Sequence, residues 1–410
     1  MLETPKANRL HIAIFGMRNA GKSSLINALT NQPIALVSDI PGTTTDPVFK
    51  AMEILPIGPC MIIDTAGIDD EGLLGELRIK KTYEVLNQTD LALLVVDPIL
   101  GITRYVHELK KALEAKKIPV IGVFNKADLA GTLNGQLKQM ENELGLPLVE
   151  VSVKTGAGID RLKEEIIRLA PFEFEKPYIV GDLINPGDVC LLVVPIDLAA
   201  PKGRLILPQV QTLRDILDSN AVGIVVKETE LAETLNQLNK KPRLVITDSQ
   251  AFSKVATDTP DDVLMTSFSI LFARFKADLA EMVSGIKGVK RLKSGDRVLI
   301  SEACTHHVQA DDIGRVKIPR LLRQYVGGEL DFQWSSGTGY PENLETFKLV
   351  VHCGGCMINR RQMIYRIQQA RNKGISVVNY GILLAFLHGI LDRALKPFGS
   401  AYKVFKEECV

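Results

Sequence analysis

Aromatic side chains are scarce in this 410-residue sequence: they make up 6% of it, with a single tryptophan. Sequence-specific RNA recognition leans on stacked aromatic rings, so an extended RNA-binding surface is not expected. An excess of one charge is missing as well. Lys plus Arg number 49 and Asp plus Glu 48, a formal net charge of +1, which argues against a chain that coats nucleic acid with its whole surface. No apolar run approaches the ~20 residues of a membrane span; GILLAFLHGIL (residues 381–391) is too short. The opening MLETPKANRLHIAIF lacks the basic start and apolar stretch of a secretory leader. A cytoplasmic protein without membrane or nucleic-acid partners is the expectation. Cysteines number only six, and in that compartment disulfides are rare, so metal or redox roles gain weight.

What is present is an α/β pattern repeated along a chain too long for one ordinary domain. HIAIF (residues 11–15), MIID (61–64), LALLVVD (91–97) and IPVIGVFN (118–125) read as buried parallel strands, separated by amphipathic helical stretches. PFEFEKPYI (171–179), with two prolines, reads as the first linker. VCLLVVP, AVGIVV and RLVIT form a second strand set, and RVLIS, LDFQW, FKLVVH and ISVVNY a third. The stretch SFSILFARFKADLAEMVSGI reads as one long helix bridging the last two sets. Three α/β domains with mainly parallel sheets follow, over residues 1–172, 173–267 and 268–410. The middle one shows no site chemistry and is expected to associate by extending its sheet across a two-fold axis, giving a homodimer or a higher oligomer.

Chemistry concentrates first at Gly16-Met17-Arg18-Asn19-Ala20-Gly21-Lys22-Ser23-Ser24, a G-x-x-x-x-G-K-[ST] loop between a strand and a helix. Its glycines let backbone N–H groups curl around phosphates, Lys22 reaches the β- and γ-oxygens, and Ser23 offers a hydroxyl to Mg²⁺. The helix N-terminus adds its dipole. Asp64-Thr65-Ala66-Gly67 ends the MIID strand, which puts Asp64 near Mg²⁺ and the Gly67 N–H near the γ-phosphate. Asn125-Lys126-Ala127-Asp128 ends another strand. The Asp128 carboxylate can accept two guanine N–H bonds, which adenine cannot supply. Ser152-Val153-Lys154 ends a further strand and would close over the base.

Cysteine and histidine concentrate second, at Cys304-Thr305-His306 and His352-Cys353-Gly354-Gly355-Cys356. Both follow strands, RVLIS and FKLVV. If those strands are parallel neighbours, both clusters converge at one sheet edge. Three readings of the set stay open on chemistry alone: a Cys₃His zinc site, an iron–sulfur cluster on three thiolates with an exchangeable fourth position, and a buried metal-free group. Cys60, Cys190 and Cys409 lack partners and read as buried or tail cysteines.

Residues 10–170 resemble the Era/MnmE group of GTPases, on the four nucleotide motifs and on PGTTTD (residues 41–46) as the switch segment. The resemblance implies GTP and Mg²⁺ as ligands, Thr44 on Mg²⁺, and K⁺ held by Asn19 and Thr43. Ile68 replaces a water-orienting glutamine after DTAG, so turnover is expected to be slow. Lys22, Thr44, Gly67 and, by its spacing in the MnmE-like arrangement, Glu76 are the expected catalytic residues. Together with the C-x-H and H-C-x-x-C strings, nearly the whole chain resembles HydF, the GTPase family of [FeFe]-hydrogenase maturation. That resemblance implies a [4Fe–4S] cluster on Cys304, Cys353 and Cys356, with His306 and His352 ligating or lining the site. It further implies a scaffold that receives a diiron subcluster precursor from radical-SAM maturases and passes it to apo-[FeFe]-hydrogenase. The alternative is an Era/MnmE-like GTPase of ribosome or tRNA maturation with a zinc-stapled tail.

Charge patterning adds one more expectation. Residues 313–323 carry Arg315, Lys317, Arg320 and Arg323 without an acid, and residues 359–373 carry Arg360, Arg361, Arg366, Arg371 and Lys373 without one. They read either as a positive basin beside the cysteines or as solvated and paired helix faces.

Overall fold

Leu10–Gly16 (β1) is apolar except for the buried His11, because it lies in the middle of a sheet covered on both faces. Ile12 and Ile14 point into one core and Ala13 and Phe15 into the other. The computed structural model describes residues 4–30, 47–65, 73–132, 135–171, 178–195, 205–303, 312–337, 341 and 343–409; the side chains of 73–78 and 130–132 lie outside that description. They form two compact units, Met1–Phe174 and Glu175–Val410.

In the first unit, β1 is joined by Val48–Ile54 (β2), Gly58–Asp64 (β3), Leu91–Val96 (β4), Val120–Phe124 (β5) and Leu148–Glu150 (β6). The sheet order is β2-β3-β1-β4-β5-β6, parallel throughout except for the edge strand β2, which runs antiparallel to β3. Helices Lys22–Thr30 (α1), Leu73–Leu86 (α2), Arg104–Ala115 (α3), Gln136–Leu144 (α4) and Ile159–Leu169 (α5) fill the connections. Each buries one stripe. In α3 that stripe is Val106, Leu109 and Leu113, whose burial contributes roughly 2 kcal/mol per side chain. Because the chain leaves β1 toward β3 and later returns to the other side of β1 as β4, a crevice opens at the carboxyl ends of these strands.

The second unit holds two four-stranded parallel sheets. Val189–Val193 (β7), Val222–Val226 (β8), Leu244–Thr247 (β9) and Leu264–Ser267 (β10) form one, in the order β10-β9-β7-β8. Arg297–Ser301 (β11), Asp331–Ser335 (β12), Leu349–His352 (β13) and Ser376–Asn379 (β14) form the other, in the order β12-β11-β13-β14. The helices are Leu207–Asp218 (α6), Leu231–Gln237 (α7), Phe252–Asp258 (α8), Phe268–Lys276 (α9), Leu279–Ser284 (α10), Ile286–Lys290 (α11), Ile318–Val326 (α12), Arg360–Asn372 (α13) and Tyr380–Leu387 (α14), followed by short C-terminal turns.

One continuous apolar core runs from Ile179 to Cys409, across the expected boundary at 267/268. The reason is α9, which buries Phe268, Ile270, Leu271, Phe272 and Ala273 and packs against α6 on one side and α13 and α14 on the other. The expected single long bridging helix is two helices, α9 and α10, with α11 starting at the last residue of the stretch. Ser267 starts α9 by accepting from the Ile270 N–H at 3.2 Å. After the extended residue Ala277, the Asp278 carboxylate caps α10 by accepting from the Ala280 N–H at 2.8 Å.

Candidate functional site

The phosphate loop turns between β1 and α1. Gly21 takes φ +87°, and a Cβ there would stand 2.3 Å from Asn125 Nδ2, so glycine is required on both counts. Lys22, 7% exposed, donates from Nζ to the carbonyls of Gly16 at 3.0 Å and Met17 at 2.8 Å. Ser23 Oγ donates to Asp64 Oδ2 at 2.6 Å. The other carboxylate oxygen, Asp64 Oδ1, is buried without a partner. Burial raises the Asp64 pKa, and the Ser23 bond opposes that rise. An orphaned carboxylate oxygen beside a hydroxyl suits a hard divalent cation, so the residues fit Mg²⁺.

The base loop is braced from two sides. Asn125 Nδ2 donates to the Ala20 carbonyl at 2.8 Å and ties this loop to the phosphate loop. Asp128 Oδ1 accepts from Ser152 Oγ at 2.7 Å, and that bond holds the carboxyl below its ordinary pKa. Val153 is half-buried and Lys154 exposed beyond Ser152. The motif reading passed over Asp97. Its Oδ2 lies 2.6 Å from Lys126 Nζ, its Oδ1 accepts from the Ile99 N–H at 2.8 Å, and it is 3% exposed. An acid closing an apolar strand run was the available signal.

In the second unit, β11 and β13 are parallel neighbours with Ser301 opposite His352. The Ala303 N–H donates to Cys353 Sγ at 3.1 Å. The convergence expected of the two strings therefore holds as far as Ala303, the residue before Cys304. Gly355 has φ +65°, and a Cβ would fall 2.2 Å from Met363 Cε, which explains a glycine inside the Cys353–Cys356 turn. Burial pushes the Cys353 thiol up to about 11, against the Ala303 and Gly355 amides, which favour the thiolate. Burial raises Cys356 as well, and the Lys276 charge opposes it. Two cysteines on a tight turn, with backbone amides aimed at sulfur, fit a thiolate-held metal group.

Of the two roles open to His352, ligating or lining, its contacts are those of a residue that lines the turn. It is fully buried in β13, with Nδ1 2.8 Å from the Cys353 carbonyl and Nε2 3.0 Å from Arg366 Nη1. Burial, reinforced by Arg366, lowers its pKa to about 3, so the ring is neutral: Nδ1–H donates and Nε2 accepts. Both nitrogens are engaged, and the ring braces the turn instead of offering a lone pair. Thr43, Thr44, Gly67, Cys304 and His306 lie outside the described residues, as does the side chain of Glu76, whose backbone is in α2. Asn19 sits exposed on the phosphate loop with φ +58°. Among the described residues there is no group of three or more His, Cys, Asp or Glu able to hold a metal.

Among the described residues, six of the nine cations in the basic stretches are paired, hydrogen-bonded or buried. Arg315 pairs with Glu302, Arg323 with Glu329, Arg371 with Glu281 and Lys373 with Glu345. Lys317 bonds Gln250. Arg366 is buried beneath the cysteine turn. These acids come from other elements, so a count along the segment missed them. Cys60 and Cys190 are buried, with thiols pushed up to about 11 and about 12 by burial, and Cys409 is buried too.

Three family models match in chain order. The 50S ribosome-binding GTPase model covers residues 11–126, the hydrogen maturase F dimerization domain 179–277, and the hydrogen maturase F tetramerization domain 280–397. The chain belongs to the HydF family. Its first unit is a GTPase domain, and its second carries the oligomerising domains of that family. The HydF models meet between 277 and 280, at the break between α9 and α10. Among curated relatives, the tRNA modification GTPase MnmE of Chromobacterium violaceum is 39% identical over 161 residues, covering 39% of this chain and 34% of the relative. MnmE of Nitrosomonas eutropha is 37% identical over 160 residues, again 39% and 34%. The chain thus spans about a third of the length of the curated relatives it matches. A crystal structure of Aquifex aeolicus Era bound to GDP and aluminium fluoride aligns with TM-score 0.37 at 20% identity, covering 53% of this chain and 92% of that one. Among the described residues no helix is long and apolar enough to cross a membrane.

Proposed function

We propose that this chain is a GTP-regulated scaffold that holds a [4Fe–4S] cluster on Cys304, Cys353 and Cys356. It assembles or delivers the diiron subcluster of [FeFe]-hydrogenase. The observation that carries this reading is the 3.1 Å approach of the Ala303 N–H to Cys353 Sγ, because it puts the chain entering Cys304 beside the Cys353–Cys356 turn. Two HydF domain matches over residues 179–277 and 280–397 support it. A bound cluster supplies a redox-active iron site with one exchangeable position. The chain's own contribution is to hold two thiols on a turn fixed by Gly355, with backbone amides that stabilise their thiolates. Radical-SAM maturases as donors and apo-hydrogenase as acceptor follow from the family. A cytoplasmic location follows from the same reading.

In the first unit Lys22, Ser23 and Asp64 bind phosphate and Mg²⁺, Asp128 reads guanine, and Asn19 with Thr43 holds K⁺. Thr44, Gly67 and Glu76 complete hydrolysis. The rival reading, tRNA modification, draws on relatives that match only about two fifths of this chain, and it gives no role to the cysteine turn. Anaerobic reconstitution of wild type and Cys353→Ser tests the proposal. Wild type should take up iron and sulfide, Cys353→Ser should not, and GTP hydrolysis should be alike in both. Zinc in place of iron in the wild type would refute the proposal.

A further inference from the structure

The two largest buried cations of the second unit both lie by the cysteine turn. Arg366 and Lys276 are each 1% exposed. Burying a cation in an apolar core is costly unless its surroundings answer the charge. Arg366 reaches the turn through His352: its Nη1 bonds His352 Nε2 at 3.0 Å and Ser301 Oγ at 3.3 Å, and Nη2 donates to the Gly337 carbonyl at 2.6 Å. It thereby clamps the ends of both strands that lead to the cysteines. Lys276 comes from the other side. It lies one helical turn beyond Phe272 on α9, and Phe272 Cβ is 3.9 Å from where a Gly354 Cβ would stand. The two cations come from different family domains: Lys276 is the next-to-last residue of the dimerization match, and Arg366 lies inside the tetramerization match with the cysteines.

We propose that Lys276 and Arg366 are the charge-setting residues of the cluster site, fixed cations that stabilise the reduced, more negative state of a cluster held on the cysteine turn. The inference rests on the cluster-binding reading above and adds residues to it. Iron–sulfur potentials respond to net charge and hydrogen bonding around the sulfurs. A permanent cation held in a low-dielectric wall therefore raises the potential, and its removal lowers it. Lys276 has a second consequence. The dimerization domain would reach into the charge environment of a cluster whose thiolates belong to the other domain.

The test is an EPR-monitored redox titration of the full-length, anaerobically reconstituted protein, with iron and sulfide analysis on each sample. Lys276→Met removes the charge at similar volume, Lys276→Arg keeps it, and Arg366→Gln removes the charge with a shorter polar side chain. The expected result is unchanged iron content, a midpoint shifted to lower potential in Lys276→Met and Arg366→Gln, and a midpoint near that of wild type in Lys276→Arg. Should one neutral variant fail to fold by circular dichroism, the other decides the outcome alone. Clusters whose midpoints match wild type in the neutral variants would overturn the inference and leave cluster binding standing. Failure of the wild type to take up iron and sulfide would overturn both.

Discussion

Lys126 Nζ lies 2.6 Å from Asp97 Oδ2, so the lysine of the base-reading loop is held by an acid that ends the neighbouring strand. Asp97 is 3% exposed and Lys126 30%, so the pair is half-sheltered and worth more than a surface bridge. Asp97→Asn should cost about 1–2 kcal/mol, read as lower urea resistance and as weaker GTP and GDP binding by roughly fivefold to thirtyfold. Unchanged affinity for both nucleotides would show that the pair plays no part in shaping the base site.

Asp128 should decide the base. Asp128→Ala is expected to bind GTP and ATP with similar affinity, measured by competition. A retained preference for GTP would refute the assignment. Ser152 holds the Asp128 pKa down, so the carboxylate persists in mild acid and guanine binding is lost only as pH falls through that depressed value. In Ser152→Ala the loss should begin at higher pH, because the folded pKa returns toward the ordinary one.

Asn19, exposed on the phosphate loop at φ +58°, is the expected K⁺ ligand. GTP turnover should be faster in KCl than in NaCl at equal ionic strength, and Asn19→Ala should abolish the difference. Equal wild-type rates in the two salts would remove K⁺ from the mechanism.

Gly355→Ala should loosen the cysteine turn. Its φ of +65° strains any other residue, and the new Cβ would meet Met363 Cε at 2.2 Å. The flexible Met363 side chain can move, so the expected loss is about 1–2 kcal/mol in urea unfolding, with less iron taken up on reconstitution. Wild-type stability and iron content would mean the turn tolerates the change.

Strand β8 is an edge, with Val222 48% and Val225 40% exposed. If association runs by sheet extension, Val222→Lys/Val225→Lys should yield a smaller species in light scattering, since charged edges resist pairing. An oligomer of unchanged size would place the interface elsewhere.

The sequence made the buried strands and the phosphate loop plain, because a doubly covered strand needs a continuous apolar run and the loop needs glycines at set positions. It hid β2, an edge strand whose residues are exposed or half-buried except for Ile54, and β10, only four residues long. It also hid the Ala277 break, where a capping Asp278 inside an apolar stretch ends one helix and starts another. At the cysteine site, the sequence left His352 as ligating or lining and showed Arg366 only as one of a basic run. Only packing reveals that each uses the other as its partner at 3.0 Å. Asp97 closes the apolar run LALLVVD, but its pairing with Lys126 was hidden because that lysine lies in another motif.

The central claim is a GTPase joined to an iron–sulfur scaffold, and the most direct test is metal analysis with EPR on the anaerobically reconstituted, reduced wild-type protein. The account predicts about four irons and four sulfides per chain, with a reduced-cluster signal that disappears in Cys353→Ser and Cys356→Ser. Colourless protein with stoichiometric zinc, or iron content untouched by either substitution, would contradict it.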